Sequence, residues 1–336
     1  MKTTLNMTLI SAVAAIAALG SQAALAQTTM KPADATSLVD GLEGVFGKHD
    51  GFRRSGAKGV CAVGTFTGTK DGKTLSSSTA FSGKEVPVVV RFSVGGGNPK
   101  APENAKTVRG MALQFDLPKG EQWLMANINT PVFSAASPDS FQAFLDARKP
   151  DPETKKPNPE KIAAATAANP DHKLQGAFLA SRGVPASYGA QNYWGVHGFK
   201  FVNAKGKATT AKWVFEPVGG EEFLAEDKVA GTAPNFLPEE LRTRLAAKPV
   251  EFNFKLMLAE AGDVTNNPTI PLPAERKSVI AGKLKIKSVE AEGSASCDGI
   301  NFNPLVVPKG VEAGDDPMLV ARAGSYAVSQ GRRLTK

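Results

Sequence analysis

Four strand-like segments follow one another closely in the first half of the chain, and no helical pattern separates them. Each is rich in β-branched or aromatic residues and is bounded by turn-forming residues, and together they cover residues 60–67, 86–94, 110–117 and 123–133. Parallel strands need a crossover connection, which is usually a helix, whereas antiparallel strands need only a turn. The succession therefore predicts a closed antiparallel sheet rather than repeated βαβ units.

The second half of the chain mixes helical and strand patterns, which predicts an α+β fold. A helix should start at Ser137-Pro138-Asp139, an alanine-rich helix should follow residue 161, and a short helix should cover residues 238–245. Further strands are predicted over residues 194–202, 211–217, 251–258 and 283–287.

The last predicted helix has clear ends. It covers residues 318–329, with Asp316 as N-cap, Pro317 at the first helical position and Gly324 as its weak point.

The first 26 residues have the pattern of a secretory signal peptide. Lys2 supplies the positive start, residues 9–19 are apolar, and Ala24-Leu25-Ala26 offers a cleavage site before Gln27. The apolar stretch is too short to be a membrane anchor. We therefore expect export, to the periplasm in a Gram-negative source, and a single domain over residues 27–336.

Charge and cysteine content limit the classes of partner. The net charge is +8, but the basic residues are scattered rather than clustered, which argues against a nucleic-acid-binding protein. Cys61 and Cys297 are the two cysteines of the chain. In an oxidising compartment they form either a disulfide or a pair of buried free thiols, and the sequence leaves both possibilities open.

The C-terminal segment carries the most specific motif of the chain. It contains Phe302-Asn303-Pro304, the turn Pro308-Lys309-Gly310-Val311-Glu312, and Met318-Leu319 followed by Arg322 and Tyr326. This succession resembles the proximal haem segment of catalases, with its F-x-P turn, P-x-G-x-E turn and M-L-x-x-R-x-x-x-Y helix. The resemblance implies that Tyr326 is the ligand of a haem iron.

The spacing of Arg322 and Tyr326 suits that role. A phenol has a pKa near 10 and must lose its proton to bind ferric iron as a phenolate. Residues four apart share one face of a helix, so the Arg322 guanidinium can reach the Tyr326 oxygen and favour its charged form. Tyrosinate is the haem ligand that catalases use.

Three upstream segments extend the resemblance over nearly all of the mature chain. Val90-Arg91-Phe92-Ser93 resembles an R-F-S strand of catalases, and Arg109-Gly110-Met111-Ala112 resembles an R-G-F-A segment. The stretch from Trp194 to Asn203 resembles a Y-G-x-H-x-F-x-x-V-N strand, with tryptophan in place of tyrosine. The resemblance implies a haem-binding set made of Arg53, Arg91, Arg109, Arg322 and Arg333, in which Arg53, Arg109 and Arg333 pair with the propionates. It makes His197 a structural residue of the scaffold.

The sequence departs from the family on the distal side of the haem. Catalases carry an essential histidine in R-x-x-H-A-K-G, and the matching residues here, Arg53 to Gly59, place Gly56 at the histidine position. The distal asparagine position is occupied by Ile128, and Asn127 or Asn129 are the remaining catalytic candidates. An amide is not a base. Since general acid–base catalysis contributes roughly 10²–10⁴-fold, we expect weak or absent catalase activity.

The resemblance thus implies one catalase-like β-barrel domain that binds haem b and lacks the wrapping loop and C-terminal helical domain of full-size catalases. Two functions are compatible with Gly56. One is a haem peroxidase that reduces hydrogen peroxide or organic peroxides with a small-molecule electron donor. The other is a non-catalytic haem-binding or sensing protein. The sequence identifies neither the donor nor the oligomeric state.

Overall fold

The predicted strands form one antiparallel sheet that closes on itself. In a computed structural model that describes residues 32–290 and 296–335, nine strands are present. They are β1 (Gly59–Gly68), β2 (Glu85–Val94), β3 (Arg109–Asp116), β4 (Gln122–Ile128), β5 (Tyr193–Val202), β6 (Ala208–Pro217), β7 (Val250–Leu258), β8 (Ser278–Val289) and β9 (Val311–Ala313). The predicted signal peptide, residues 1–26, lies outside the described residues.

Eight of these strands make a barrel. Their order is β4-β3-β2-β1-β8-β7-β6-β5, all pairs are antiparallel, and a pairing of β4 with β5 at Ile128 and Trp194 closes the ring. The short β9 adds to the edge of β5. The prediction of an α+β fold built on a closed antiparallel barrel is confirmed.

The interior of the barrel is filled by large aromatic side chains. Phe66, Trp123 and Phe254 are fully buried and meet edge to face, with ring centroids 5.8 Å and 6.1 Å from Phe254. Successive residues of a strand point to opposite faces, so these residues leave the alternate positions on the outside of the barrel. Those outward positions build the site described below.

Eight α-helices are present in the described residues. They are α1 (Ala35–Phe46), α2 (Lys70–Leu75), α3 (Pro138–Asp146), α4 (Pro159–Ala168), α5 (Leu174–Ala180), α6 (Glu226–Val229), α7 (Leu237–Ala247) and α8 (Pro317–Leu334). Helix α1 packs against α3 and α8. Within residues 32–290 and 296–335, none of the helices has the length and hydropathy needed to cross a bilayer.

Helix α8 starts where the sequence predicts. Asp316 caps it by accepting hydrogen bonds from the backbone N–H groups of Met318 and Leu319. The helix continues through Gly324, where a Cβ would lie 2.9 Å from the Cβ of Ala35, so the glycine permits close contact with α1. The helix continues to Leu334, beyond the predicted end.

The two cysteines are joined. A disulfide links Cys61 on β1 to Cys297, with the Cα atoms 5.8 Å apart. Of the two possibilities left by the sequence, the pair of free thiols is wrong.

Candidate cofactor site

A large cavity lies between the outer face of the barrel and α8. Leu38, Val39 and Leu42 of α1 line one side of it, and Phe141 of α3 lines another. The barrel contributes outward-facing residues of β2, β3 and β4, and α8 contributes one polar face. The strands and the helix therefore form two different walls of the cavity.

The barrel side is built from small residues. We call Gly56, Ser93, Gly110, Ala112, Ala126 and Ile128 the distal wall; all six line the cavity. On the strands, Ser93 pairs with Gly110 and Gly110 pairs with Ile128, while Ala112 pairs with Ala126. Directly paired residues point to the same face. The small side chains leave room for a flat group against the sheet.

The helix side carries the predicted ligand. Arg322, Tyr326, Ser329 and Arg333 follow one another at helical spacing, and all line the cavity. The Arg322 Nη2 donates a hydrogen bond to the Tyr326 oxygen at 2.6 Å. The predicted contact between these two side chains is confirmed, and it places a fixed cation beside the phenol.

A buried hydrogen-bonded pair fixes the start of α8. The carboxylate of Asp316, which is fully buried, lies 2.6 Å from Nδ1 of His197 on β5 while its other oxygen caps the helix. Burial is the main cause that lowers the pKa of His197. The pair ties α8 to the barrel and so sets the position of Arg322 and Tyr326.

Three arginines lie together at one edge of the cavity. Arg53, Arg91 and Arg333, which we call the arginine cluster, all line it. Burial, with further contributions from Arg91 and Arg333, lowers the pKa of Arg53 to about 9. Like charges that are brought together out of water are costly unless an anion joins them.

The partners of the cluster are incomplete. Arg53 donates from Nη2 to the carbonyl oxygens of Cys297 and Ile300, and Arg91 donates to the carbonyl oxygen of Gly56. Nε of Arg53 and both terminal nitrogens of Arg333 are buried and have no hydrogen-bond partner among the described residues. Guanidinium groups with unused donors suit two carboxylates, so the arginine cluster fits the propionates of a haem.

The structure corrects the prediction for Arg109. Its side chain is fully buried and does not line the cavity. Its terminal nitrogens donate to the carbonyl oxygens of Glu103, Ala105 and Thr107 and to the Thr107 hydroxyl. Arg109 shares the inward face of β3 with Met111, because residues two apart point the same way. It organises the preceding loop and is not placed to bind a propionate.

Asn127 and Asn129, the predicted distal candidates, hydrogen-bond to residues outside the distal wall, although Asn127 lines the cavity. The Asn127 amide donates to the carbonyl oxygen of Met111 and accepts from the Trp213 indole N–H inside the barrel. The Asn129 amide accepts from the backbone N–H of Arg109 and donates to Gln191. The amide nitrogen and the amide oxygen of each residue therefore have a partner away from the distal wall.

Gly56 is the most unusual member of the distal wall. Its φ is +65°, in the left-handed region that glycine adopts freely. A Cβ built there would lie 3.1 Å from the Ser93 hydroxyl. That hydroxyl, which has no hydrogen bond to any described residue, is the polar side-chain group of the distal wall.

The sequence reasoning missed Ser93 and the lining residues of α1. Ser93 lies two residues after Arg91 in the same strand, so alternation alone would have placed both on the cavity face. The apolar residues of α1 had no motif to mark them.

Comparisons with known proteins agree with this architecture. The catalase family model matches residues 52–336. A catalase-related peroxidase of Synechococcus elongatus is 44% identical over 296 residues, which are 88% of this chain and 87% of that protein. A catalase-related peroxidase of Mycolicibacterium paratuberculosis is 33% identical over 294 residues, which are 87% of this chain and 92% of that protein.

Solved structures show the same fold. Catalase A of Saccharomyces cerevisiae superposes with a TM-score of 0.77 at 23% identity, covering 85% of this chain and 62% of that chain. A fungal catalase superposes with the same TM-score, 0.77, at 24% identity. The match covers 85% of this chain and 60% of that chain. This chain therefore spans about three fifths of the solved catalases that it resembles. The chain belongs to the catalase family.

Proposed function

We propose that this protein is a haem peroxidase that reduces hydrogen peroxide or an organic peroxide with electrons from a small-molecule donor. The observation that carries the proposal is the hydrogen bond from Arg322 to Tyr326 in a cavity that also holds the arginine cluster. The relatives named catalase-related peroxidases support the same activity.

Each residue of the site has a distinct task in this proposal. Tyr326 would hold the iron of haem b through its phenolate oxygen, and Arg322 would keep that oxygen in its charged form. Arg53, Arg91 and Arg333 would bind the propionates. The bound haem would supply the iron at which a peroxide is reduced. Apolar residues of α1 and α3 would exclude water from the haem.

The distal wall explains why we expect weak or absent catalase activity. A peroxide needs a group that takes a proton from one oxygen and returns it to the other, and Gly56 has no side chain to do so. The Ser93 hydroxyl is a poor base.

The lack of a side chain at Gly56 favours a second candidate, a non-catalytic haem-binding or sensing protein. In that case the proximal residues would still hold haem, and the open distal wall would admit a ligand rather than transform it.

Rapid mixing of the purified ferric protein with peroxide separates the two candidates. A peroxidase shows a spectral change that depends on peroxide concentration and is reversed by an electron donor such as a phenol. No spectral change in the wild type, and no gain in rate in Gly56→His, would reject the peroxidase. The left-handed backbone at Gly56 costs a side chain about 1–2 kcal/mol, so Gly56→Ala is the control for strain without an imidazole.

We also propose that the protein is exported, to the periplasm in a Gram-negative bacterium. The signal-like first 26 residues support this, and so does the disulfide, since disulfides persist in oxidising compartments. N-terminal sequencing of the protein from its native host tests it: export predicts a mature protein that begins near Gln27, and an intact Met1 contradicts it.

A further inference from the structure

One of the three histidines of the sequence, His197, lines the cavity, but none belongs to the distal wall. His49 is half-buried, and its ring nitrogen lies 3.1 Å from the carbonyl oxygen of Phe46. His172 contacts Ser140, and His197 is paired with Asp316 at the start of α8. The contacts of all three histidines therefore lie outside the distal wall.

Carboxylates are missing from the same surface. Among the described residues that line the cavity there is no aspartate or glutamate, whereas five arginines line it: Arg53, Arg54, Arg91, Arg322 and Arg333. Arg54 is paired with Glu43, and the other four arginines would bind the propionates and the Tyr326 oxygen, so the distal side offers no carboxylate as a proton acceptor. Any proton transfer there must be carried by the substrate itself or by water.

Peroxides differ in whether they need that help. Hydrogen peroxide and alkyl hydroperoxides are weak acids, and their leaving groups, hydroxide and alkoxide, must be protonated as they depart. A peroxycarboxylic acid is a much stronger acid, and its leaving group is a carboxylate, which is stable without a proton at neutral pH. A peroxycarboxylic acid can therefore react without a distal base.

We propose that the substrate class of this site is the peroxycarboxylic acids; this inference deepens the peroxidase function proposed above and rests on it. The peroxy acid would react as its anion. Its organic group lies among the apolar residues Val108, Ile128, Phe133 and Phe141, which line the same cavity. Ile128, which stands at the position of the distal asparagine in catalases, makes that part of the wall apolar.

The reaction balances without a distal acid or base. The O–H proton of the peroxy acid is released to water, the O–O bond breaks heterolytically, and the carboxylate leaves with the electron pair. The remaining oxygen atom, which carries two oxidising equivalents, is then reduced to water by two electrons from the donor and two protons. The products are one carboxylate and one water for each peroxy acid.

The first test compares peroxides on the wild-type haem protein by rapid mixing. We expect 3-chloroperoxybenzoic acid to react at least a hundredfold faster than hydrogen peroxide or cumene hydroperoxide, the size of a missing acid–base contribution. In Gly56→His the hydrogen peroxide rate should rise and this ratio should fall at least tenfold. A wild-type ratio below ten, or a ratio that Gly56→His leaves unchanged, overturns the inference.

Peroxy acids are intrinsically reactive, so a faster rate does not by itself identify them as the substrate class. The pH dependence of the rate is a sharper criterion. Without a titrating group on the distal wall, the inflection of the rate should follow the acidity of the peroxide, so it should move when peroxyacetic acid replaces 3-chloroperoxybenzoic acid. An inflection that stays at one pH for both peroxides shows that a protein group accepts the proton, and this result overturns the inference.

Equilibrium binding supplies a readout that does not depend on turnover. Benzoate, an inert analogue of the leaving group, should bind the ferric protein and shift its absorbance. Ile128→Asp should weaken benzoate binding at least tenfold, by repulsion, and should raise the hydrogen peroxide rate by supplying a base. Ile128→Asn, which matches the shape without the charge or basicity, should do neither. Equal benzoate affinity in the two variants contradicts the proposed site; if both variants fail to fold, the wild-type pH comparison still decides.

The outcomes distinguish a failure of the proposed substrate class from a failure of the proposed peroxidase function. A protein that reacts with hydrogen peroxide as fast as with the peroxy acid is a peroxidase of another substrate class. A haem-loaded protein that reacts with none of the peroxides is not a peroxidase, and both proposals fail.

Discussion

Arg333 is the residue at which binding and folding can be separated most cleanly. Both of its terminal nitrogens are buried without a hydrogen-bond partner among the described residues, and burial lowers its pKa. The side chain therefore contributes little to the stability of the protein without haem. A propionate would complete its hydrogen bonds.

We predict that Arg333→Leu weakens haem binding without destabilising the apoprotein. A hydrogen bond to a charged group is worth about 1.5–3 kcal/mol, so the haem dissociation constant should rise roughly ten- to a hundredfold. Haem transfer to apomyoglobin measures the affinity, and urea unfolding of the apoprotein measures the stability. An unchanged haem affinity would remove Arg333 from the propionate site.

Lys212, on β6, is the residue whose burial should appear in the pH dependence of stability. Its ammonium donates to the carbonyl oxygens of Asn267 and Ile270, and burial lowers its pKa from 10.5 to about 8, although Asp316 opposes this shift. Between these two values the unfolded chain binds more protons than the folded one. The contribution of Lys212 to the free energy of unfolding therefore increases as the pH rises through that window.

We predict that Lys212→Met loses this increase. The free energy of unfolding of the wild type minus that of the variant should increase between about pH 8 and pH 10. The reason is that the unfolded wild type binds more protons than the folded wild type in this range. Urea unfolding at several pH values measures it. A difference that is flat, or that falls with pH, would contradict the assignment.

The arginines also show what could be predicted for single residues. Motif resemblance selected Arg91 and Arg109 alike, but only Arg91 lines the cavity. The alternation of Met111, Leu113 and Phe115 on the inward face already implied that Arg109 points inward, so this information was in the sequence. The side-chain partners of Asn127 and Asn129, Trp213 and Gln191, could not be predicted, because they lie far away in the chain.

At the level of structural elements, the disulfide supports one side of the site. It anchors the segment of residues 296–302 to β1, and the carbonyl oxygens of Cys297, Asp298 and Ile300 in that segment accept from Arg53. Phe302 lies beneath the Arg53 guanidinium, 5.5 Å from it. The cross-link therefore holds both the acceptors and the packing of one member of the arginine cluster.

We predict that the double variant Cys61→Ala/Cys297→Ala loses about 2–4 kcal/mol of stability, the usual contribution of a native disulfide. Haem should also dissociate faster, since the backbone acceptors of Arg53 are released. Reduction of the wild type with a phosphine should reproduce both effects and leave the double variant unaffected. Unaltered haem dissociation would show that the segment keeps its position without the cross-link.

Elements with local signals were predicted well, and elements without them were not. Helix α8 has its cap, its proline and its apolar residues in sequence order, so it could be placed before its partners were known. Helix α1 is capped by Asp34 and Ser37, but its apolar face has meaning only against α3 and α8. The fourth predicted strand ran to residue 133, whereas β4 ends at Ile128, where its pairing with β5 closes the barrel.

On the scale of the whole molecule, one closed sheet determines where the cavity can lie. The aromatic residues fill the inside of the barrel, so a large planar group can be held only on its outer face, under a helix that is fixed by Asp316 and His197. The density of strands predicted the barrel. Its closure and register could not be predicted, since they depend on pairings such as β1 with β8, which come from opposite ends of the chain.

We propose that Tyr326 binds the iron of a haem. The most direct test is the absorbance spectrum of the purified protein beside those of Tyr326→Phe and Tyr188→Phe. Tyr188 is a matched control, because its hydroxyl is buried inside the barrel without a partner among the described residues. We predict a tyrosinate-ligated ferric haem spectrum for the wild type and Tyr188→Phe, and its loss in Tyr326→Phe. A wild-type protein without haem absorbance after reconstitution, or a spectrum that Tyr326→Phe leaves unchanged, would contradict the account.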